Sequence, residues 1–362
     1  MSAIEPVDNI DPETLSRFDA IIDVRSPAEF AKDHIPGAIN LPVLSNEERA
    51  EVGTIYKQQS TFGARRIGAA YVSRNVAGHL ETFFAEQPPS SQFLVYCWRG
   101  GMRSGSMATI LRQVGWRISV LQGGYKTWRR AVVSGLRNVE TPVNIVLLDG
   151  QTGVAKSEIL NRVAALGAPV LDLENLAAHR GSVFGAYGDA PQPTQKAFES
   201  QLWNEMTHLD LTKPVLVEAE SNRIGRCEVP KRLWNSMRAA PVIVIQASPE
   251  LRAKYLVNAY RDIVEDSDAI LIALGRLAPF HAKTKIDSWK VLAENGDLIT
   301  LAGDLIREHY DPLYNRARKQ RSQKPIAKIE LTSLDENAQN DAAVEIKALL
   351  SRSLRETIAS EA

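Results

Sequence analysis

Short apolar segments alternate with helix-patterned segments along most of this chain, and this alternation limits its possible folds more than any other feature. In the first third, continuous apolar runs occur at residues 20–24, 93–96 and 118–121, each bounded by Gly, Pro or charged residues. Such runs are typical of strands buried on both faces of a parallel sheet. Residues 104–114 have a helical pattern that Gly115 ends. The first block therefore predicts an α/β domain.

A second block repeats the alternation after a polar segment at residues 134–142 that contains Gly and Pro. Its first apolar run, residues 143–148, leads into a Gly-rich turn and a helical pattern over about 156–166. Further apolar runs stand at 169–171, 215–217 and 242–245. Strands and helices in this order predict a doubly wound sheet, and the chain from Glu250 onward is mostly helical in pattern.

The chain has 362 residues, enough for two domains with separate cores, which we place at 1–137 and 138–362. Lys plus Arg and Asp plus Glu both number 43, so any basic surface must be local. Two cysteines cannot form a disulfide framework or a four-ligand zinc site, which indicates a reducing compartment. No apolar stretch has the length of a membrane span, and the opening residues MSAIEPVDNI lack a signal-peptide pattern. We therefore expect a cytoplasmic protein with no membrane partner.

One cysteine opens a loop rich in glycine and arginine, CWRGGMRSGS, directly after the apolar run 93–96. A cysteine reacts through its thiolate, which positive charge, amide dipoles or a helix N-terminus stabilise. Glycines let such a loop curl so that its N–H groups converge on the sulfur, and Arg99, Arg103 and the helix starting at Ser104 add to that field. An inert buried cysteine is the alternative, but it leaves two glycines and two arginines unexplained. We assign Cys97 as the catalytic residue, assisted by Arg99 and Arg103.

Short motifs around this loop resemble those of the rhodanese family. The matching segments are 23–25 (DVR) with Glu29, 34–38 (HIPGA), and 121–124 (LQGG) with Trp128. The resemblance spans residues 15–135 and implies a rhodanese-like domain whose loop cysteine carries sulfur or selenium. For Asp23, Arg25 and His34 we favour scaffold roles. Five residues separate Cys97 from Arg103, and this spacing also suits rhodanese-like phosphatases, so the loop alone leaves chalcogen transfer and phosphate hydrolysis open.

The segment LDGQTGVAKS at 148–157 follows a predicted strand and opens a helix, which is the setting of a Walker A phosphate loop. The residues predicted to hold a phosphate are Gly150, Gln151, Thr152, Gly153, Val154, Ala155, Lys156 and Ser157. Ala155 stands where the motif has its second glycine, and a positive φ there would strain alanine. This departure disfavours triphosphate hydrolysis, whereas a helix N-terminus with Lys156 still suits a diphosphate.

Charged residues follow the predicted strand 215–217. Glu218 ends that strand, where a carboxylate beside a phosphate loop is typical of a metal-water ligand or a general base. Ser157 and Glu218 are therefore the candidate Mg²⁺ ligands, although a solvated strand end explains Glu218 equally well. Arg223 is a candidate phosphate clamp or a surface charge.

The order of these two domains, with three further segments, resembles the tRNA 2-selenouridine synthase family. The segments are 97–104 (CWRGGMRS), 180–185 (RGSVFG) with Gln192, Pro193 and Gln195, and 218–221 (EAES). The resemblance covers nearly the whole chain. It implies an N-terminal rhodanese-like α/β domain, then a doubly wound, P-loop NTPase-like α/β domain with a helical C-terminal region.

The same resemblance implies a transferase that modifies tRNA in two steps. The sulfur of wobble 2-thiouridine, in Lys, Glu and Gln tRNAs, receives a geranyl group from geranyl diphosphate. Selenium from selenophosphate then replaces the S-geranyl group by way of an S-selanylcysteine on Cys97. The expected partners are tRNA and a selenophosphate supply enzyme. No tightly bound cofactor is expected, Mg²⁺ is a candidate ion, and a diphosphate substrate makes Ala155 less surprising.

Binding of tRNA requires local basic surface. A run of cations follows residues 310–314, and a solvated helix face is its ordinary alternative reading. The predicted tRNA contacts in this run are Arg316, Arg318, Lys319 and Arg321. Lys57, Arg65 and Arg66 form a second candidate patch.

Two other functions stay open on the residues alone. One is a sulfurtransferase or phosphatase whose P-loop domain is a regulatory nucleotide-binding domain, which the Cys97 loop permits. The other is a nucleotide-sensing module that recruits tRNA or a partner without chemistry, against which Ala155 argues mildly.

Overall fold

The computed structural model describes residues 4–138, 142–179, 191–259, 267–319 and 325–361. The chain forms two compact units. Unit 1 comprises the residues up to Arg137 together with Thr194–His208, and unit 2 comprises Asn138–Pro193 and the residues from Leu209 onward. The division predicted from the sequence differs in residues 194–208, which it placed in the second domain.

Strands of unit 1 form one parallel sheet. These strands are β1 (Glu5–Val7), β2 (Ala20–Asp23), β3 (Ile39–Asn40), β4 (Gln92–Tyr96) and β5 (Arg117–Leu121). They lie in the order β1-β5-β4-β2-β3, and each neighbouring pair is parallel. The register pairs Val95 with Ile22 on one side and Val120 on the other, and all three are buried. Central strands covered on both faces need continuous apolar sequence, as the runs in the sequence indicate.

Helices surround both sheets. In chain order the helices of the described residues are α1 (Pro12–Leu15), α2 (Pro27–Lys32), α3 (Asn46–Gln58), α4 (Thr61–Glu81), a 3₁₀ turn (Phe83–Glu86), α5 (Met102–Val114), α6 (Tyr125–Arg137), α7 (Lys156–Ala165), α8 (Leu173–Leu176), α9 (Gln195–His208), α10 (Lys231–Ala239), α11 (Pro249–Ala259), α12 (Ser267–Gly275), α13 (Lys283–Glu294), α14 (Leu298–Leu305), a π-helical turn (Ile306–Tyr310), α15 (Asp311–Lys319) and α16 (Glu336–Glu361). As predicted, α5 ends at Gly115, whose φ of 129° favours glycine.

Helices α3 and α4 form a hairpin between β3 and β4. A capping box starts α3, because the Ser45 hydroxyl accepts the Glu48 N–H at 3.2 Å and the Glu48 carboxylate accepts the Ser45 N–H at 2.8 Å. The same carboxylate accepts a 2.7 Å hydrogen bond from Asn75 of α4. Tyr71 of α4 donates to Glu51 of α3 at 2.7 Å. These polar contacts fix the two helices against each other.

Helix α9 packs in unit 1, against α6. The Trp128 indole N–H donates to the Ser200 hydroxyl at 3.1 Å, and Arg129 forms an ion pair with Glu199. Phe198 and Leu202 of α9 are fully buried. The apolar face of α9 is therefore buried against α6, which is distant from it in sequence.

Unit 2 contains a second parallel sheet. Its strands are β6 (Ile145–Gly150), β7 (Val170–Leu171), β8 (Val215–Glu218), β11 (Val242–Ala247) and β12 (Pro325–Leu331), and a separate antiparallel pair is β9 (Arg223–Ile224) with β10 (Cys227–Glu228). The sheet order is β12-β11-β6-β8-β7. Later strands lie on both sides of β6, so the sheet is doubly wound, as predicted. The loop after β6 therefore lies at the switch point, where such sheets bind ligands.

The C-terminal region is mostly helical, as predicted, with β12 as an exception. Side chains of β12 alternate between exposed and half-buried in its first four residues. This edge strand lacks the continuous apolar run of a central strand, so the sequence did not distinguish it from the surrounding helices. Trp289 of α13 is fully buried in the core formed by α12, α13 and α14. In the part of the chain that the structure describes, no helix is long and apolar enough to cross a membrane.

Candidate functional site

Cys97 lies immediately after β4, and its sulfur faces the start of α5. The side chain is only 4% exposed. Its Sγ accepts the Gly101 N–H at 3.3 Å, and the Ser104 hydroxyl lies 3.3 Å from the sulfur and 3.1 Å from the Gly101 carbonyl oxygen. Gly101 is the residue before α5, so the sulfur sits at the positive end of that helix.

These contacts act on the acidity of the thiol. Burial raises the pKa of Cys97, but hydrogen bonds from the Ser104 hydroxyl and from the N–H groups of Ser104, Arg99 and Gly101 outweigh it and lower the pKa below its ordinary value. The lowered pKa favours the thiolate, which is the nucleophilic form. In contrast, burial raises the pKa of Cys227.

Close backbone packing explains Gly100 of the cysteine loop and Gly124 of the segment after β5. Gly100 has a φ of 65°, and a Cβ on it would lie 2.6 Å from the Leu121 carbonyl oxygen. Gly124, with a φ of 58°, packs against the backbone of the cysteine loop. The Tyr125 N–H donates to the Cys97 carbonyl oxygen at 2.8 Å. The segment after β5 therefore supports the cysteine loop, which gives the LQGG motif its structural role.

The two arginines of the loop have different surroundings. Arg103 forms a 2.8 Å ion pair with Glu29, which also binds Arg49 at 2.8 Å. Burial raises the pKa of Glu29, but the bonds from Arg103 and Arg49 lower it overall. Arg99 has an exposed side chain and contributes its backbone N–H to the sulfur. Glu29 thus neutralises the charge of Arg103. The catalytic roles of Arg99 and Arg103 stay predictions.

A buried charged group lies behind the cysteine loop. Arg25 is 1% exposed, forms a 2.6 Å ion pair with Asp23 and donates to the Asp33 carbonyl oxygen at 2.7 Å. Its guanidinium stands 4.1 Å from the ring centre of Tyr125. Tyr125 donates its hydroxyl to the Asp33 carboxylate at 2.6 Å, and burial raises the pKa of that carboxyl. These contacts join β2, α2 and α6, as a scaffold would.

His34 lies two residues after the end of α2. Its Nδ1 is 2.9 Å from the Phe30 carbonyl oxygen, and its ring stacks on the Phe30 ring at 3.8 Å between centroids. Both contacts tie His34 to the end of α2.

The predicted phosphate loop connects β6 to α7. Ala155 precedes α7 with φ 59° and ψ 36°, so the alanine occupies the left-handed conformation that strains a residue with a Cβ. Such a conformation costs about 1–2 kcal/mol for a residue with a Cβ. Gly153 also has a positive φ, of 87°. Lys156 bends back and donates to the Gly150 carbonyl oxygen at 2.8 Å.

The remaining predicted phosphate residues lie in this loop with them. Val154 is buried, and Gln151 and Thr152 are half-buried. The Thr152 carbonyl oxygen accepts a 3.2 Å hydrogen bond from Arg252, a buried residue that also binds Asp311 through two hydrogen bonds of 2.8 and 2.7 Å. Sequence reasoning missed Arg252, because one arginine in a helix carries no local signal.

Two carboxylates lie near Ser157 at the start of α7, one in direct contact with it. The Ser157 hydroxyl donates to Glu174 at 3.3 Å, and the Glu174 N–H donates to the Glu218 carboxylate at 2.6 Å. Burial and the nearby Asp172 raise the pKa of Glu218. Burial and the nearby Glu220 raise the pKa of Glu174 to about 8, although Lys156 opposes the rise. Sequence reasoning missed Glu174 and Asp172, which directly follow the short strand β7.

These oxygen donors are of the type that Mg²⁺ takes. However, the residues that the structure describes contain no group of three or more His, Cys, Asp or Glu side chains that could hold a metal ion. The Mg²⁺ role of Ser157 and Glu218 stays a prediction, and no chemical step is derived through it.

Arg223, the predicted phosphate clamp, begins β9 of the β9–β10 pair, which the side chain of Gln192 also contacts. Arg223 is exposed and donates to the Gly225 carbonyl oxygen at 3.2 Å within its own turn. The Gln192 side chain holds the same turn by accepting the Arg226 N–H at 2.8 Å and donating to the Ile224 carbonyl oxygen at 3.2 Å. Residues 180–185 lie outside the described residues.

The predicted tRNA contacts lie at the end of α15. Arg316 is exposed and Arg318 is half-buried. Lys319 ends the helix, and its side chain is outside the described part of the chain, as is Arg321. Their tRNA role stays a prediction.

Comparison with protein families agrees with both units. Residues 8–131 match the family described as "Rhodanese-like domain". Residues 143–278 match the family described as "tRNA 2-selenouridine synthase AAA domain". The protein is therefore of the class that joins a rhodanese domain to a P-loop domain in one chain, and the predicted fold class is confirmed.

Individual relatives narrow this class. A protein of Hahella chejuensis named "tRNA 2-selenouridine synthase" is 37% identical over a match covering 66% of this chain and 63% of the relative. One of Shewanella denitrificans with the same name is 38% identical, over 67% of this chain and 65% of the relative. One of Bdellovibrio bacteriovorus, also so named, is 36% identical over 70% of this chain and 68% of the relative. The chain belongs to the tRNA 2-selenouridine synthase family, although its match spans less than two thirds of the first two relatives' length.

Proposed function

We propose that this protein converts wobble 2-thiouridine of tRNA to 2-selenouridine through an S-geranylated intermediate. One observation carries the proposal: a single chain of this family contains both a cysteine with a lowered pKa and a phosphate loop with a left-handed alanine. The first is suited to chalcogen chemistry, and the second to an anion held by a helix N-terminus. The relatives named for this activity support the assignment of tRNA as the substrate.

In the first step the P-loop binds the diphosphate of geranyl diphosphate. The sulfur of 2-thiouridine attacks the first carbon of the geranyl chain, the carbon–oxygen bond breaks, and diphosphate leaves while the base loses its N3 proton. Lys156 leaves the Gly150 carbonyl oxygen and neutralises charge on the leaving diphosphate, and the first N–H groups of α7 donate to its oxygens. No phosphate–phosphate bond is cleaved in this step.

In the second step selenium replaces the S-geranyl group at C2. Cys97 accepts selenium as an S-selanylcysteine: the selenium–phosphorus bond of selenophosphate breaks, water takes up the phosphoryl group so that phosphate leaves, and a small disulfide in the solution accepts the two electrons. The terminal selenium then forms its bond to C2, and the C2–S bond breaks so that geranyl thiol leaves. A small thiol cleaves the remaining S–Se bond, which frees 2-selenouridine and leaves Cys97 in a mixed disulfide that a second thiol reduces. Alkylation prepares this step, because a thiolate is a better leaving group than a thione sulfur. The hydrogen bonds from Gly101 and Ser104 stabilise negative charge on the Cys97 sulfur before it accepts selenium and after it releases selenium.

Mass analysis of tRNA nucleosides tests the proposal. Purified protein incubated with 2-thiouridine tRNA and geranyl diphosphate should yield S-geranyl-2-thiouridine, and added selenophosphate should convert it to 2-selenouridine. Release of phosphate from aryl phosphates in a Cys97-dependent reaction, with tRNA unchanged, would instead support the phosphatase alternative.

A further inference from the structure

A groove on unit 1 is left unused by the proposed chemistry. It lies between α3, α4 and the first turn of α5, and it has a volume of about 780 Å³. This size is within the usual range of ligand-binding clefts. We call it the hairpin groove.

The floor of the hairpin groove is apolar, and its edges carry exposed large side chains. Val52, Ala64 and Val72 line it from the two helices of the hairpin. Tyr56 on α3 and Met102 on α5 also line it, and they are 56% and 66% exposed. An exposed aromatic ring at the edge of an apolar groove is a surface on which an unpaired nucleobase stacks.

The rim of the groove is positively charged. Arg49, Lys57, Arg65 and Arg103 line it, and its lining contains no Asp or Glu. Arg49 and Arg103 are both paired with Glu29. Lys57 and Arg65 are exposed, and neither forms an ion pair within the described ranges. The net charge of the rim therefore favours a polyanion over a neutral peptide or a lipid chain.

The groove borders the cysteine loop. Met102 and Arg103 belong to the first turn of α5, and the preceding residue, Gly101, donates its N–H to the Cys97 sulfur. An RNA strand lying in the groove thus passes beside the loop of Cys97, which handles selenium in the proposed second step.

We propose that the hairpin groove binds the single-stranded anticodon loop of the substrate tRNA. Tyr56 stacks on a base beside the wobble position, and Lys57 and Arg65 bind the flanking phosphates. This inference rests on the proposed function, because it places the RNA of that same reaction. Single-stranded loops are the part of an RNA that proteins read through aromatic stacking, since their bases are free to unstack.

The test measures binding of a fluorescently labelled RNA hairpin with the sequence of a lysine-tRNA anticodon arm to the full-length protein. Tyr56→Ala should weaken binding by at least about fivefold, the lower limit for loss of one stacked base. Tyr56→Phe keeps the ring and should stay within about twofold of wild type. Phe62→Ala is the matched control, because Phe62 is 76% exposed on α4 outside the groove lining.

Charge is tested separately through salt dependence. The double variant Lys57→Glu, Arg65→Glu should reduce the slope of log affinity against log salt by about 1.4, which corresponds to two single-strand phosphate contacts. Arg17→Glu with Arg117→Glu makes the same charge change at exposed positions outside the groove and should keep the wild-type slope. Circular dichroism establishes that each variant is folded.

Equal binding by the wild type, the Tyr56→Ala variant and the double charge variant would overturn the groove assignment while leaving the proposed function intact. An equal loss in the control variants would also overturn it, because it would indicate a diffuse charge effect. If the wild type binds neither the hairpin nor whole tRNA, the proposed function fails together with the groove.

Discussion

The cysteine loop of unit 1 and the phosphate loop of unit 2 have the same local design but opposite electrostatics. Each follows a buried parallel strand and precedes a helix, so each directs backbone N–H groups at one point. At Cys97 those groups already have an acceptor, since the sulfur accepts the Gly101 N–H and hydrogen bonds lower its pKa. At the phosphate loop the neighbours are carboxyl groups whose pKa values are raised. One loop favours negative charge on its own sulfur, and the other is predicted to hold the negative charge of a ligand.

The two loops also differ in which residue type adopts a positive φ. The cysteine loop and the segment that supports it use glycine where φ is positive, at Gly100 and Gly124. The phosphate loop places Ala155 in the left-handed region. Local strain of this kind persists where the surrounding structure over-determines it, and it concentrates at functional sites. The difference between the loops is consistent with two separate chemical steps, and the following variants are chosen to break or sharpen that separation.

The largest effect is expected from Cys97→Ser. Selenation should fall by about 10³-fold or more, because a serine hydroxyl cannot replace the thiolate as a selenium acceptor. Geranylation should continue, so S-geranyl-2-thiouridine accumulates in the nucleoside mass spectrum. Cys227→Ser is the control and should leave both products unchanged. Loss of both steps in the Cys97 variant would contradict separate sites.

Lys156→Ala should lower the geranylation rate by about 10- to 100-fold. This range corresponds to the loss of a hydrogen bond to a charged group, worth about 1.5–3 kcal/mol. The measurement is the initial rate of S-geranyl-tRNA formation at limiting geranyl diphosphate. Lys213→Ala removes an exposed lysine paired with Asp210 and serves as the control. An unchanged rate in the Lys156 variant would mean that this loop does not bind the diphosphate.

Ser104→Ala should raise the pKa of Cys97, because it removes the hydroxyl that favours the thiolate. Below that pKa the thiolate fraction falls in proportion, so alkylation of Cys97 by iodoacetamide should slow by about tenfold near neutral pH. The pH–rate midpoint should move to higher pH. Ser106→Ala, two residues further along α5 at an exposed position, should not move it. An unchanged midpoint, or one that moves to lower pH, would mean that the Ser104 hydroxyl does not favour the thiolate.

The smallest effect is expected from Ala155→Gly. Glycine relieves the left-handed strain, so the free energy of unfolding should rise by about 1 kcal/mol. Ala164→Gly, at an exposed right-handed position in α7, should lower it by about 0.5–1 kcal/mol. Chemical denaturation measures both. A destabilised Ala155 variant would show that the alanine side chain stabilises the loop more than its backbone strains it.

Sequence reasoning predicted both loops because their signals are local. The apolar runs before residues 97 and 150, the glycines and the following helix starts all fall within short segments, and the strain at Ala155 followed from one departure in a motif. The packing of α9 in unit 1 could not be predicted in the same way, since its partner Trp128 is distant in sequence. Glu174 was missed for a related reason. It contacts Ser157 only because the segments that follow β7 and β6 both lie at the carboxyl ends of the parallel strands.

The central claim is that the two loops perform separable steps, and one measurement tests it most directly. Purified S-geranyl-tRNA is mixed with selenophosphate and excess protein in a single turnover, so that the geranylation step is bypassed. Lys156→Ala should form 2-selenouridine at the wild-type rate, and Cys97→Ser should form none. Equal loss of selenation in both variants would contradict the account.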